Sequence, residues 1–423
     1  MPENREPIRF VILDPGHFHA ALALKRRRAD VDPRVQVFAP AGDDLDRFRS
    51  QVEAFNSRAV DATDWKLEIE SGADWLERFR TERLGNTAVI AGRNKPKIDL
   101  ILAALESGLN VLADKPWVID SADLPKLERA QTIAESNALV AWDLMTERHE
   151  TTNRLLLALA CEPAIFGEWK SFSLESVHCL KKTVAGAPLR RPAWWFDMRV
   201  AGDSLADVGT HLVDLAFLAI APERTVRPDE LRIVTSKRWP LLVERDDFET
   251  ITGLPEFPPE MDLDGVRLRY AGNGTVDYTL CGVPVRVTTR WEVEHPGGDW
   301  HAIVAHGSRC AIHSEQSPDG RRTIAIRPVS PGLLASVGDW CARHQSEFPG
   351  LSAANDSDAI RLVVPDALHR DHESLFAHVV DDYARLFGDP STMPEHEWPN
   401  RRARYAITTA QPDRCSRAGS PVP

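Results

Sequence analysis

No Cys-x-x-Cys pair occurs anywhere in the 423 residues, and the six cysteines, at positions 161, 179, 281, 310, 341 and 415, are scattered. So sparse a set excludes a disulfide scaffold and a structural zinc site built on cysteine. Basic charge is also short: 51 Lys and Arg face 63 Asp and Glu, for a formal net charge of -12, with no basic stripe. That excludes nucleic acid, which a basic field would be needed to hold. No uncharged run approaches the ~20 residues of a membrane-spanning helix. The opening MPENREPIRF is charged and leads directly into a strand, so neither a signal peptide nor a membrane partner is expected, and the expected compartment is the cytoplasm. A complete Gly-x-Gly-x-x-Gly loop is missing too, and that absence bears most on function.

What is present begins with the apolar strand Ile8–Leu13. It ends in Asp14-Pro15-Gly16-His17-Phe18-His19 and passes into a helical pattern over 20–28. Strand, tight turn and helix are the setting of a dinucleotide phosphate loop. Gly16 holds the middle glycine position, where backbone approaches a pyrophosphate, while Asp14 and His19 stand at the first and third. His17, Phe18 and His19 pack the turn or touch bound cofactor. With only Asp14 nearby as a further ligand, no metal site is expected. The second strand, Val35–Phe38, is followed by Ala39 where such sites carry an acidic residue for the ribose. Asp43 reaches the ribose or caps the helix starting near Leu45. No Arg stands in this loop for a 2′-phosphate, so NAD(H) is preferred over NADP(H).

Further strands over 62–69, 87–91 and 110–113 alternate with helices over 74–82 and 97–107, the latter with Ile98, Ile101, Leu102 and Leu105 on one face. This rhythm predicts a parallel sheet covered on both faces. Gly16, Asn94 and Lys115 converge at its C-terminal edge, where ligands bind. Asn94 bonds a cofactor or holds a turn, and Arg148 pairs with Glu147 or serves an anion. A lysine ending a buried strand, as in Asp114-Lys115-Pro116, must be paired or used. Asp114 offsets its charge; a solvated lysine before a loop proline is the plain alternative.

Downstream, the aromatic stretch Arg191–Asp197 lines a sugar's apolar face or joins the core. A helix starting near Asp203 places Asp207 and His211 one turn apart, with Asp214 three residues on. Histidine exchanges a proton near neutral pH and a carboxylate tunes it, although such pairs also occur in ordinary helices. Over 230–329, strand patterns punctuated by breakers such as Gly272-Asn273-Gly274 predict an antiparallel sheet of hairpins. Helices are expected over 331–347 and 369–386, the second striped with Leu375, Phe376, Val379, Tyr383 and Leu386. The tail from Gln411 reads as disordered. The expected domains are 1–150, 151–410 and this tail, 411–423.

Asp114-Lys115-Pro116, followed at this distance by Asp207-x-x-x-His211-x-x-Asp214, resembles the Gfo/Idh/MocA family of oxidoreductases over nearly the whole chain. The resemblance implies an α/β fold: an N-terminal Rossmann-like doubly wound parallel sheet, plus a C-terminal α/β domain with a large, mostly antiparallel open sheet. It implies that Lys115, Asp207 and His211 line the reaction site and that Gly16 serves the dinucleotide loop. With the strand ends read above, the expected cofactor set is Gly16, His17, Phe18, His19, Asp43, Asn94, Asp114 and Lys115. Asp114 replaces the family's Glu, and Asp-Pro-Gly-His-Phe-His marks a divergent branch. The implied reaction is hydride exchange between the nicotinamide and a secondary alcohol or ketone carbon of a sugar, glycoside or polyol. One alternative is redox-assisted glycoside cleavage or epimerisation with tightly bound NAD. Another is a non-catalytic sugar-binding or regulatory protein on a degenerate Rossmann scaffold. The open sheet implies a homodimer or homotetramer.

Overall fold

Runs of three to six residues become the first sheet, the central ones largely apolar on both faces. Its strands are β1 (Phe10–Leu13), β2 (Arg34–Ala39), β3 (Lys66–Ser71), β4 (Thr87–Ile90), β5 (Asn110–Ala113) and β6 (Ala141–Asp143). The computed structural model describes residues 6–184, 187–296, 298–316, 320–329, 332–370 and 372–411. All six strands are parallel, in the order β3-β2-β1-β4-β5-β6. Helices α1 (His19–Leu22), α2 (Asp43–Ser57), α3 (Trp75–Glu82), α4 (Lys97–Glu106) and α5 (Leu124–Ser136) make the crossovers. The strand order reverses between β1 and β4, so the crevice beyond their C-terminal ends is where a doubly wound sheet receives a ligand.

The chain divides into two compact units. The first comprises residues 1–146, 199–202 and 372–398, and the second takes the rest. The segment 372–398, read from sequence with the second domain, therefore lies in the first. The cause is its apolar stripe: Phe376, Val379, Val380 and Tyr383 of the helix His372–Gly388 join the core formed by Ile12, Val37 and Leu112. The Tyr383 hydroxyl also lies 2.7 Å from Thr87 Oγ1 on β4.

The second unit is built on a ten-stranded sheet. Its strands are β7 (Trp169–Cys179), β8 (Leu231–Val243), β9 (Arg267–Leu280), β10 (Val283–Glu292), β11 (Trp300–Gly307), β12 (Cys310–Gln316), β13 (Arg322–Pro328), β14 (Ser352–Asp356) and β15 (Ala359–Val363), with the short strand Leu263–Asp264 beside β9. The order is β8-β9-β10-β7-β11-β12-β13-β15-β14. Pairing is antiparallel except between β10 and β7. Helix α6 (Thr151–Ala160), two helices, α7 (Ser204–Asp207) and α8 (Gly209–Ile220), and α9 (Leu333–Arg343) contribute Leu155, Leu205, Leu212 and Trp340 to the core on the sheet.

Gly272-Asn273-Gly274, read as a breaker, runs through the middle of β9 instead. Small residues are needed there for packing: a Cβ on Gly272 would fall 2.3 Å from the Tyr270 ring, and one on Gly274 2.9 Å from Leu205. The stretch beyond Gln411, read as a disordered tail, lies outside the described residues.

Candidate active site

In the first unit the loop after β1 is clamped by its neighbours. Asp14 N donates to Phe38 O (3.1 Å) and His17 N to Ala91 O (3.0 Å). Gly92 presses on the loop so closely that a Cβ would lie 2.0 Å from Asp14 O. Asp14 occupies the first glycine position with φ +44°, a left-handed conformation that Asp accepts better than most side chains. Its carboxylate accepts from Arg93 (3.0 Å), whose other terminal nitrogen donates to Asp44 (2.8 Å). Burial raises the Asp14 pKa, Arg93 opposes the shift, and Asp44 adds to it. Asp43 does not cap α2: Gly42 takes that position at φ +141°, and Asp43 is exposed in the first turn. Asp44 is the carboxylate that faces the loop. Sequence reasoning found no arginine near the ribose end because Arg93 arrives from β4.

His17, His19 and Asp114 form one cluster, their candidate ligand atoms all within 4.8 Å of one another. Asp114 Oδ2 lies 3.0 Å from His19 Nδ1 and 3.4 Å from His17 Nδ1. The expectation of no metal-ligating set counted only Asp14. Asp14 is turned to Arg93, and Asp114, 95 residues beyond His19, takes its place. Burial drives the His19 pKa well below 6.5 against the pull of Asp114, leaving a neutral imidazole. Burial works to raise Asp114, but His19 and His17 outweigh it and hold its pKa well below 3.8. Phe18 stacks edge-on against His19, at 4.4 Å between ring centres.

Lys115 is buried beside this cluster. Lys97, which the sequence did not single out, is buried with it and donates to Asn94 Oδ1 (2.7 Å). Asn94 Nδ2 donates in turn to Ala201 O (2.6 Å), so the Asn94 side chain braces the loop after β4.

In the second unit the expected single helix is two. Asp203 caps α7 by accepting from Ala206 N (3.0 Å). Asp207 ends α7 and His211 lies in the first turn of α8, its N–H donating to Val208 O (3.1 Å) across the junction. Asp214, third in the expected series, is committed elsewhere: Arg148 donates to both its oxygens (2.7 Å each), and Arg404 pairs with it. Glu147 is bonded by Arg322 on β13, at 2.7 and 3.3 Å, and Asn153 adds a bond at 2.9 Å. Burial raises the Glu147 pKa, but Arg322, then His301 and His211, carry it well below 4.5.

Around these residues lies a polar and aromatic patch that sequence reasoning largely missed. His178 and His301 meet edge-on at 5.3 Å. Asp299 joins His178 Nδ1 (3.2 Å) and Lys182 Nζ (2.8 Å). Arg191 is buried with its guanidinium over Trp195 (4.4 Å) and Trp291 (4.9 Å). Burial pushes its pKa down, while Tyr270, Asp299 and Asp207 push it up. Arg191 Nε and Trp291 Nε1 are buried donors with no hydrogen-bond partner among the described residues. The run Arg191–Trp195 was the visible signal. Nothing local pointed to its meeting with Trp291.

Among the described residues no helix is long and apolar enough to cross a membrane. Residues 158–414 match the family model described as "Putative oxidoreductase C terminal domain". The crystal structure of a "putative oxidoreductase" from Parabacteroides merdae is similar over 96% of this chain and 96% of its own, with 31% identity and a TM-score of 0.92. KijD10, a 3-ketoreductase from Actinomadura kijaniata solved with NADP and TDP-benzene, shares the fold at 17% identity and a TM-score of 0.59, over 95% and 96% of the two chains. A "putative oxidoreductase" from Erwinia carotovora does so at 13% identity and 0.58, over 95% and 97%. Comparison with curated proteins finds no match.

Proposed function

The chain belongs to the oxidoreductase C-terminal domain family, and from that premise we propose that it is a nicotinamide-dinucleotide oxidoreductase acting on a secondary alcohol or ketone carbon of a sugar, glycoside or polyol. The observation that carries the substrate class is the pair of orphaned donors, Arg191 Nε and Trp291 Nε1, in an aromatic patch that feels the charge of Asp207. Buried donors without partners are costly unless a ligand satisfies them. A molecule with hydroxyl oxygens on one edge and C–H groups on a face meets both the donors and the rings.

The strand order and the clamped loop suit a dinucleotide. Gly16 and Phe18 would face its phosphates, Arg93 offers a half-exposed cation beside the loop, and Asp44 rather than Asp43 stands for the ribose hydroxyls. Two carboxylates at the end of β2 disfavour a 2′-phosphate by like charge, so NAD(H) is preferred over NADP(H), although KijD10 was solved with NADP. Once bound, the dinucleotide supplies the hydride acceptor or donor. His211 takes the hydroxyl proton and returns it, Asp207 orients His211 or a neighbouring hydroxyl, and Lys115 donates to the oxygen on which charge develops. The branch marked by Asp-Pro-Gly-His-Phe-His is part of this proposal, as is a homodimer or homotetramer, which sedimentation would test.

The deciding experiment is mass spectrometry of nucleotides released by denaturing freshly purified protein, with titration of stripped protein by NAD(H) and NADP(H). Stoichiometric retained cofactor directs the substrate search to glycosides and to chemistry that regenerates the cofactor in place. Weaker, measurable binding directs it to a polyol and sugar screen. Binding of neither by folded protein overturns the proposal.

A further inference from the structure

We propose that His17, His19 and Asp114 form a binding site for one divalent transition-metal ion of the zinc class, with three protein ligands and open positions for solvent. Ligand atoms bound at about 2.0–2.2 Å around a tetrahedral centre lie about 3.3–3.5 Å apart. Asp114 Oδ2 already stands 3.0 Å from His19 Nδ1 and 3.4 Å from His17 Nδ1, so an ion replaces shared protons with little movement of the backbone. Both histidines come from one tight turn whose backbone is fixed by Ala91 and Phe38, and Asp114 comes from the end of β5. All three belong to the first unit.

A second observation points to a cation. Asp114 Oδ1 is buried and has no hydrogen-bond partner among the described residues, an acceptor surplus that an ion or its bound water relieves. His17 is 22% exposed at the side chain and gives the site its entry. Two imidazoles and a carboxylate suit zinc, cobalt or iron(II) over calcium or magnesium, which prefer oxygen. Lys115 and Lys97 lie beside the triad and weaken it by like charge, so micromolar rather than nanomolar affinity is expected.

The test uses untagged full-length protein freed of metal by chelation, with no dinucleotide present, so its outcome is independent of the hydride-transfer proposal. Titration with Zn²⁺ by calorimetry should give one ion per chain. Co²⁺ should give visible ligand-field bands with nitrogen and oxygen donors. His17→Ala and Asp114→Asn should each abolish stoichiometric binding while circular dichroism stays unchanged. Should Asp114→Asn fail to fold, zinc protection of His17 and His19 against diethylpyrocarbonate in the wild-type chain, mapped by mass spectrometry, gives the same reading. Absence of stoichiometric binding by the folded wild type overturns the proposal. So does binding that survives His17→Ala, or reagent labelling of both histidines that zinc leaves unchanged.

Discussion

The polar clusters of the two units are unbalanced in opposite senses. Beside β5 an acceptor is left over, Asp114 Oδ1; on the sheet of the second unit donors are left over, Arg191 Nε and Trp291 Nε1. A surplus acceptor invites a cation, and surplus donors invite an oxygen-rich or anionic ligand. The surrounding charges differ as well. Arg93, which joins Asp14 and Asp44, is 32% exposed, whereas Arg322 and Glu147 are 15% and 16% exposed and held in a bidentate pair. Water can reach the cation of the first network, whose buried Asp14 is raised towards its protonated form, whereas the second pair is shielded at both ends.

The contrast predicts its strongest effect at Arg322. Arg322→Met strands a buried carboxylate and should cost about 3–5 kcal/mol, read from the urea midpoint; a loss below about 1 kcal/mol would show Glu147 to be hydrated. Next comes Lys115→Met. It should lower turnover ~10²–10³-fold, as expected for losing one preorganised donor to a developing oxyanion, with dinucleotide affinity nearly unchanged. Equal loss of both would remove its catalytic assignment.

Acidification acts on both units in the same direction. His19 and His301 are each held well below their unfolded value of 6.5, chiefly by burial, so the unfolded chain binds more protons below that value. Their contribution to stability is complete above pH 6.5 and is lost as pH falls towards their folded values. Glu147 and Asp114, depressed from 4.5 and 3.8, add a second loss below those values. Unfolding free energy measured from pH 8 to 5 should therefore fall, and His301→Gln should flatten the curve. A wild-type profile flat over that range would contradict neutral buried histidines. The smallest effect belongs to Arg93→Met, about 1–3 kcal/mol, because burial already raises the Asp14 pKa and the carboxyl can take up a proton when Arg93 is lost. A cost matching that of Arg322→Met would erase the distinction between the two networks.

Much of the scaffold is visible in the sequence because strands buried on both faces must be almost wholly apolar, as β1 is and as β4 and β5 are beyond their first residues, Thr87 and Asn110. Lys115, Asp207 and His211 stand out by residue type and spacing. The partners that set their surroundings do not. Glu147 and Arg322 are 175 residues apart, and His19 and Asp114 are 95 apart. No local pattern pairs them. Gly272 and Gly274 mislead because a glycine that turns a chain and a glycine that makes room for Tyr270 look alike in sequence. Only the opposing ring tells them apart.

Biosynthesis meets a constraint in the helix His372–Gly388. Its residues Phe376, Val379 and Tyr383 complete the core over the first sheet, yet they are translated long after it. At about 5–20 residues per second, β6 leaves the ribosome on the order of 10–50 s before this helix does. Through that interval the nascent parallel sheet carries an uncovered apolar face, a surface that chaperones hold and that aggregates capture. Truncation before residue 372 would make that exposure permanent, so the first unit cannot be expressed as the simple N-terminal fragment that its strand order invites.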